Sequence, residues 1–238
     1  MSHPTPVPRV NADIQLRLGD AALERILRSL HPVDCQICGA PLGDRRSSLV
    51  VVQLGPVDAE ALLAHTQCSP PGWRIDGLEW TDPAEAYGSW HAHVALVAVA
   101  KTPDGEAPDL MPAFVLNPGL ESVHLHCSGG EWRPNLASVA AAWGLSADLS
   151  VEPVGAVAAE GVRLDVDGRR ILLSAATEPG GAVWADTEDD GFWASVEVRG
   201  GLLLVVTYAV DPHGLTDADF SRIREPGEAL AGWVRRRS

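Results

Sequence analysis

The sequence predicts an α+β protein: a β-rich, mainly antiparallel sheet with a few helices, and a small cysteine-bearing module near the N-terminus. Three observations carry this. Short runs rich in Val, Leu, Ile and Trp recur between Gly, Pro, Asn and Asp clusters, the signature of strands and turns. Helical spacing of apolar residues is confined to a few segments. The closely spaced cysteine pair and the later His-x-x-Cys fall within one stretch, residues 33–72. The expected organisation is a proline-rich leader over 1–11, a helix-plus-cysteine module over 12–72, and a β-rich domain with a C-terminal helix over 73–238.

Taken in order, Ile14, Leu16 and Leu18 alternate with Gln15 and Arg17, which predicts a short strand. Asp20 reads as an N-cap, with Leu23, Ile26, Leu27 and Leu30 at helical spacing behind it. Ser48–Leu54 is β-branched and predicts a strand. Val57–Ala64 fits either a helix capped by Asp58 or the returning strand of a hairpin. Further strands are predicted at Trp73–Trp80, Trp90–Ala100, Met111–Leu116, Ser122–Cys127, Gly161–Val166, Arg170–Ala175, Ala182–Ala185, Trp193–Arg199 and Leu202–Val210. Asp167-Gly168 signals a tight hairpin, and Arg199-Gly200-Gly201 a second turn. Helices are predicted at Asn135–Trp143 and Thr216–Ile223, the latter resuming over Glu228–Arg236 after Pro226-Gly227. Asn117-Pro118 and Asp211-Pro212 each follow a long apolar strand, too short a likeness to establish a duplication.

The formal charge of −14 opposes phosphate backbones and anionic membranes unless basic residues are concentrated in one patch. Arg45-Arg46, Arg169-Arg170 and Arg235-Arg236-Arg237 are short runs, the first two beside acidic residues, so nucleic-acid binding through the module is only a second alternative. Lys101 is the sole lysine, which reads as codon bias in a GC-rich, bacterial genome rather than as function. The leader lacks a basic segment followed by an apolar core, and apolar runs such as Leu202–Val206 are strand-length. These features predict a cytoplasmic protein without a membrane role, in which paired cysteines signal a metal before a disulfide.

Cys35-x-x-Cys38 and His65-x-x-Cys68 have the spacing by which two tight turns aim four side chains at one tetrahedral ion, with 26 residues between the pairs. Gly39 suits the left-handed backbone that closes such a turn. Three thiolates and one neutral imidazole around Zn²⁺ leave a net charge of −1, and all four positions are filled by protein. Such a closed site is structural, one zinc per chain, with no place for a water nucleophile. The same Cys35/Cys38 pair also fits a redox dithiol, but that motif opens a helix, whereas Gly39, Pro41 and a strand come after it here.

The run Cys35-x-x-Cys38-Gly39-x-Pro41-Leu42, a strand, and then Ala64-His65-x-x-Cys68 resembles zinc-ribbon and treble-clef modules found in many bacterial proteins. The resemblance implies a metal and a local fold over residues 33–72, not an activity. Pro70-Pro71 after the second pair favours the ribbon form, because a treble clef starts a helix there.

Other chemistry-bearing residues are fewer. His91-x-His93 and His124-x-His126 each put two imidazoles on one strand face. If those strands were neighbours, the four would form an open metal site for a hydrolase or oxidoreductase, the first alternative function. Cys127 reads as a small buried side chain, and Asp186–Asp190 as a solvated acidic turn lacking calcium-loop spacing. The 8 tryptophans read partly as core and partly as contact surface. No nucleophile elbow or phosphate loop is present. The sequence thus points away from an enzyme and toward a zinc-binding accessory protein that contacts another protein.

Overall fold

The computed structural model describes residues 7–44, 46–75, 90–98, 110–137, 143–145, 147–148, 158–175, 182–210 and 214–236. Several expectations lie outside these residues: most of the leader, Arg45, Arg237, Lys101, Trp80, Asp211-Pro212 and most of the helix expected over 135–143. The described chain is β-rich with mostly antiparallel sheets, an α+β fold. It divides into two compact units, 1–89 with 119–135, and 90–118 with 136–238. The expected 12–72 segment therefore falls in one unit together with a later hairpin.

The first unit begins with helices α1 (Ala12–Leu18) and α2 (Asp20–Ser29). The strand expected over Ile14–Leu18 is thus a helix. Asn11 caps it, its side chain accepting from the Ile14 N–H at 2.9 Å, and Asp13 pairs with Arg17 one turn later. Ile14 and Leu18 are buried four residues apart while Leu16 is 84% exposed, so the apparent alternation is one helical face. Gly19, at φ +73°, closes α1 and occupies the N-cap position expected for Asp20, which instead sits in the first turn of α2.

The sheet of this unit comprises β1 (Ser47–Gln53), β2 (Asp58–His65), β3 (Gly72–Arg74), then, from later in the chain, β6 (Ser122–Ser128) and β7 (Glu131–Pro134). Its order is β3-β1-β2-β6-β7. β1 is buried along nearly its whole length and pairs antiparallel with β2 from Ser47↔His65 to Gln53↔Ala59. This decides the ambiguous Asp58–His65 segment: its alanines and leucines favour a helix alone, but β1 and β6 flank it with ladder partners on both sides. β3 runs parallel to β1. Trp73 and Trp132 stack edge to face at 5.3 Å, with the Arg17 guanidinium over Trp73.

The second unit holds β4 (His91–Ala98), β5 (Leu110–Asn117), β8 (Ala147–Asp148), β9 (Val162–Asp167), β10 (Arg170–Ala175), β11 (Ala182–Asp186), β12 (Gly201–Thr207) and β13 (Ala229–Arg235). They form a five-stranded sheet, β4-β5-β12-β13-β8, and a three-stranded sheet, β11-β10-β9. Helices α3 (Asp190–Arg199) and α4 (Asp217–Ile223) complete it. Ala113, Val115, Leu203, Val205 and Ala231 lie in its core. The β9–β10 hairpin forms as expected, turning at Gly168 (φ +60°) and Arg169.

Two expectations fail here. Trp193–Arg199 is helical: Asp189 caps the helix, accepting from the Gly191 and Phe192 N–H groups, and Gly200 at φ +67° ends it. Gly200-Gly201 is therefore a helix exit rather than a hairpin turn. Phe192 and Val196 supply a narrow buried stripe, while Val198 is 87% exposed, which blurs the helical period in the sequence. The C-terminal segment is β13, not a helix. It pairs with β12 along its full length, Gly201↔Arg235 to Thr207↔Ala229, and a Cβ at Gly232 would meet the Leu145 side chain at 2.8 Å. No helix of the described residues is long and apolar enough to cross a membrane.

Candidate metal centre

Two turns bring the four candidate ligands together. The first leaves α2 and doubles back through a bridge between Asp34 and Pro41. Within it, the Gly39 N–H donates to the Cys35 carbonyl at 2.8 Å, and the Cys35 N–H to the Ala40 carbonyl at 2.9 Å. Gly39 takes φ +68°, a conformation any side chain would strain. The second turn ends β2: both the Cys68 and Ser69 N–H groups donate to the His65 carbonyl at 3.0 Å. The chain then enters strand β3 rather than a helix.

The ligand atoms of Cys35, Cys38, His65 and Cys68 all lie within 4.8 Å of one another and can hold a metal ion. His65 Nδ1 is 3.4 Å from Cys38 Sγ and 3.9 Å from Cys68 Sγ. A tetrahedral ion with nitrogen at about 2.0 Å and sulfur at about 2.3 Å requires nitrogen–sulfur edges of about 3.5 Å. The two observed edges bracket that value.

The tautomer of His65 suits this role. Its Nε2 lies 3.1 Å from the Pro41 carbonyl oxygen. A carbonyl only accepts, so Nε2 carries the proton and Nδ1 turns its lone pair toward the sulfurs. The backbone N–H of the same residue donates to Cys35 Sγ at 3.2 Å.

Electrostatics within the cluster are divided. The Ala40 N–H beside Cys38 holds that thiol below its usual range. Burial pushes the Cys68 thiol up to about 12, and the Cys38 and Cys35 sulfurs add to the shift. Three sulfurs this close cannot all be anionic without a cation among them, and a divalent ion reverses the balance by favouring every thiolate. Cys35 is buried at the base, while Cys38 is exposed.

Glu121, which no spacing rule singles out, braces this arrangement. It is 1% exposed. Its Oε1 accepts from the Asp34 N–H at 2.9 Å and its Oε2 from Gln36 Nε2 at 3.1 Å. Its backbone carbonyl accepts from the Leu63 N–H at 2.9 Å, two residues before His65.

The remaining histidine candidates belong to two different sheets. His91 and His93 lie on β4, which pairs with β5. His124 and His126 lie on β6, which pairs with β2 and β7 in a different sheet. The neighbouring strands that a four-histidine site required are therefore not found. His91 and His93 stack edge to face at 4.7 Å, and His126 Nδ1 is 2.9 Å from Asp58 Oδ1. Cys127 sits opposite Trp132 in the β6–β7 ladder. The acidic turn has a structural use: Asp189 caps α3, while Glu188 and Asp190 pair with Arg169. One of the candidate basic runs is thereby partly neutralised. The Arg170 guanidinium lies over Trp184, which is 56% exposed. No family model, curated protein or solved structure matches this chain.

Proposed function

We propose that the chain is a zinc protein in which Cys35, Cys38, His65 and Cys68 form a structural, ribbon-like site, and that it acts as a non-enzymatic accessory protein binding another protein. The observation that carries the zinc reading is the donor set with its orientation. Three sulfurs and an imidazole nitrogen within 4.8 Å of one another, two of the nitrogen–sulfur edges near the tetrahedral length and the histidine tautomer held by Pro41, suit zinc over harder cations that take oxygen ligands. Four protein donors leave no coordination position for substrate, which supports a structural role. The strand after Cys68 supports the ribbon form over a treble clef. An acidic chain with exposed Trp184, Ile75 and Leu16 supports a protein partner over a nucleic acid.

Metal content per chain, measured by mass spectrometry on protein purified without chelators under reducing conditions, tests the proposal. We expect one zinc in wild type and none in the Cys35→Ser/Cys68→Ser variant. The melting temperature should fall with it, because free zinc at a thousand times its Kd contributes about 4 kcal/mol. A metal-free wild-type protein would remove the proposal's foundation.

A further inference from the structure

We propose that Glu121 is the positioning residue of the metal centre, holding its two ligand turns in register, so that metal affinity depends on a segment 53 residues beyond the last ligand. This rests on the metal-binding reading above.

The two ligand pairs flank the β1–β2 hairpin in sequence and meet at its open end, where Ser47 pairs with His65: Cys35 and Cys38 precede β1, His65 ends β2, and Cys68 follows it. Direct backbone contact between them includes the Gln36 N–H donating to the Leu63 carbonyl at 3.0 Å. Glu121 closes the rest. Both carboxylate oxygens reach the first turn, at Asp34 N and Gln36 Nε2, on either side of Cys35. Its backbone carbonyl takes the Leu63 N–H of β2, two residues before His65, extending the β2–β6 ladder. The preceding residue adds a tie, the Leu120 carbonyl accepting from the His31 N–H at 2.6 Å where the chain leaves α2. A single buried residue thus bonds to neighbours of Cys35 on one side and to the strand that delivers His65 on the other.

The chemistry of the pairings explains why a carboxylate is used. Asp34 N and Gln36 Nε2 both donate, so the residue between them must accept at two separate atoms. An amide there supplies one acceptor and one donor, and sets an N–H against an N–H. Metal affinity typically falls about tenfold to a hundredfold when a partner bonded directly to a ligand is lost, and Glu121, one residue removed from Cys35, belongs at the lower end of that range.

The test is zinc affinity, measured by competition with a chromophoric chelator, on wild type, Glu121→Gln, and Glu121→Gln combined with Gln36→Glu. The double exchange restores complementarity: the amide at 121 then accepts from Asp34 N and donates to the new carboxylate at 36. We expect about tenfold weaker binding in Glu121→Gln and recovery of most of it in the double variant. A melting comparison in the Cys35→Ser/Cys68→Ser background separates positioning from general support. Glu121→Gln should lower the melting temperature of the zinc-loaded protein more than that of the metal-free background. Wild-type zinc binding with affinity within twofold in Glu121→Gln would overturn the proposal and leave the metal reading standing. An equal loss of melting temperature in both backgrounds, without rescue by Gln36→Glu, would reduce Glu121 to a fold residue and also overturn it. Absence of zinc from the wild type would instead remove the metal reading itself.

Discussion

His65 directs Nδ1 at the sulfurs because the Pro41 carbonyl takes the proton on Nε2, so a residue of the first turn orients a ligand of the second. The cysteines are equally unalike despite identical chemistry. Cys38 is exposed, and the Ala40 N–H favours its thiolate, whereas burial holds Cys68 protonated up to about pH 12. In metal-free protein near pH 8, iodoacetamide should therefore modify Cys38 first, its rate rising through a midpoint below 9.0. Cys68 should lag throughout, and added zinc should protect both, as peptide mass spectrometry would show. Equal labelling of the two would contradict this electrostatic division. The sequence could single out these four residues because their spacing is a property of local turns. Glu121 could not be found that way, since its relation to Asp34 and Gln36 exists only after the chain has returned.

Elements were legible where local pattern and tertiary demand agree. β1, β5, β6, β10 and β12 appear within a few residues of where their apolar runs place them. α1 and α3 were misread for related reasons: α1 is short enough that one helical face mimics alternation, and α3 exposes Val198 beside its buried stripe. Their caps were the better signal, Asn11 for one and Asp189 for the other. Asp189→Ala should accordingly lower stability by about 1 kcal/mol, the usual cost of a lost N-cap. Asp190→Ala, which removes an exposed ion pair with Arg169, should cost no more than about 0.5 kcal/mol. Chemical denaturation of the two variants checks the ordering, and a reversed order would mean that the cap contributes little. β13 failed differently. Its Ala229–Arg235 run fits a helix locally, but β12 is buried throughout and takes it as a ladder partner.

Across the whole chain, a metal held at this site should be coupled to folding of the first unit. Zinc binding would deprotonate the thiols, so the stability it adds should be present at neutral pH and be lost as falling pH lets protons displace the metal. The metal-free chain has the opposite dependence at Cys68. A thiol raised from 9.0 to about 12 by folding weakens the native state as pH rises through that window. Hydrogen exchange should localise the coupling. On chelation, amides of residues 33–42, 58–65 and 119–125 should exchange faster, with those of β12 and β13 unchanged. Uniform acceleration across both units would refute a local role for the metal.

Short-range pattern was enough to establish the α+β class, most strands, and the four residues that can hold a metal, because alternation, turn chemistry and ligand spacing are encoded within short stretches. Long-range pairing settled which ambiguous segments became strands, which sheet carries each histidine pair, and what braces the four residues that can hold a metal. Those outcomes depend on partners far along the chain: β12 for the C-terminal strand, different sheets for the two histidine pairs, and Glu121 for the metal turns. A backbone group takes whichever partner folding brings within hydrogen-bonding distance, and no local window of sequence contains that partner.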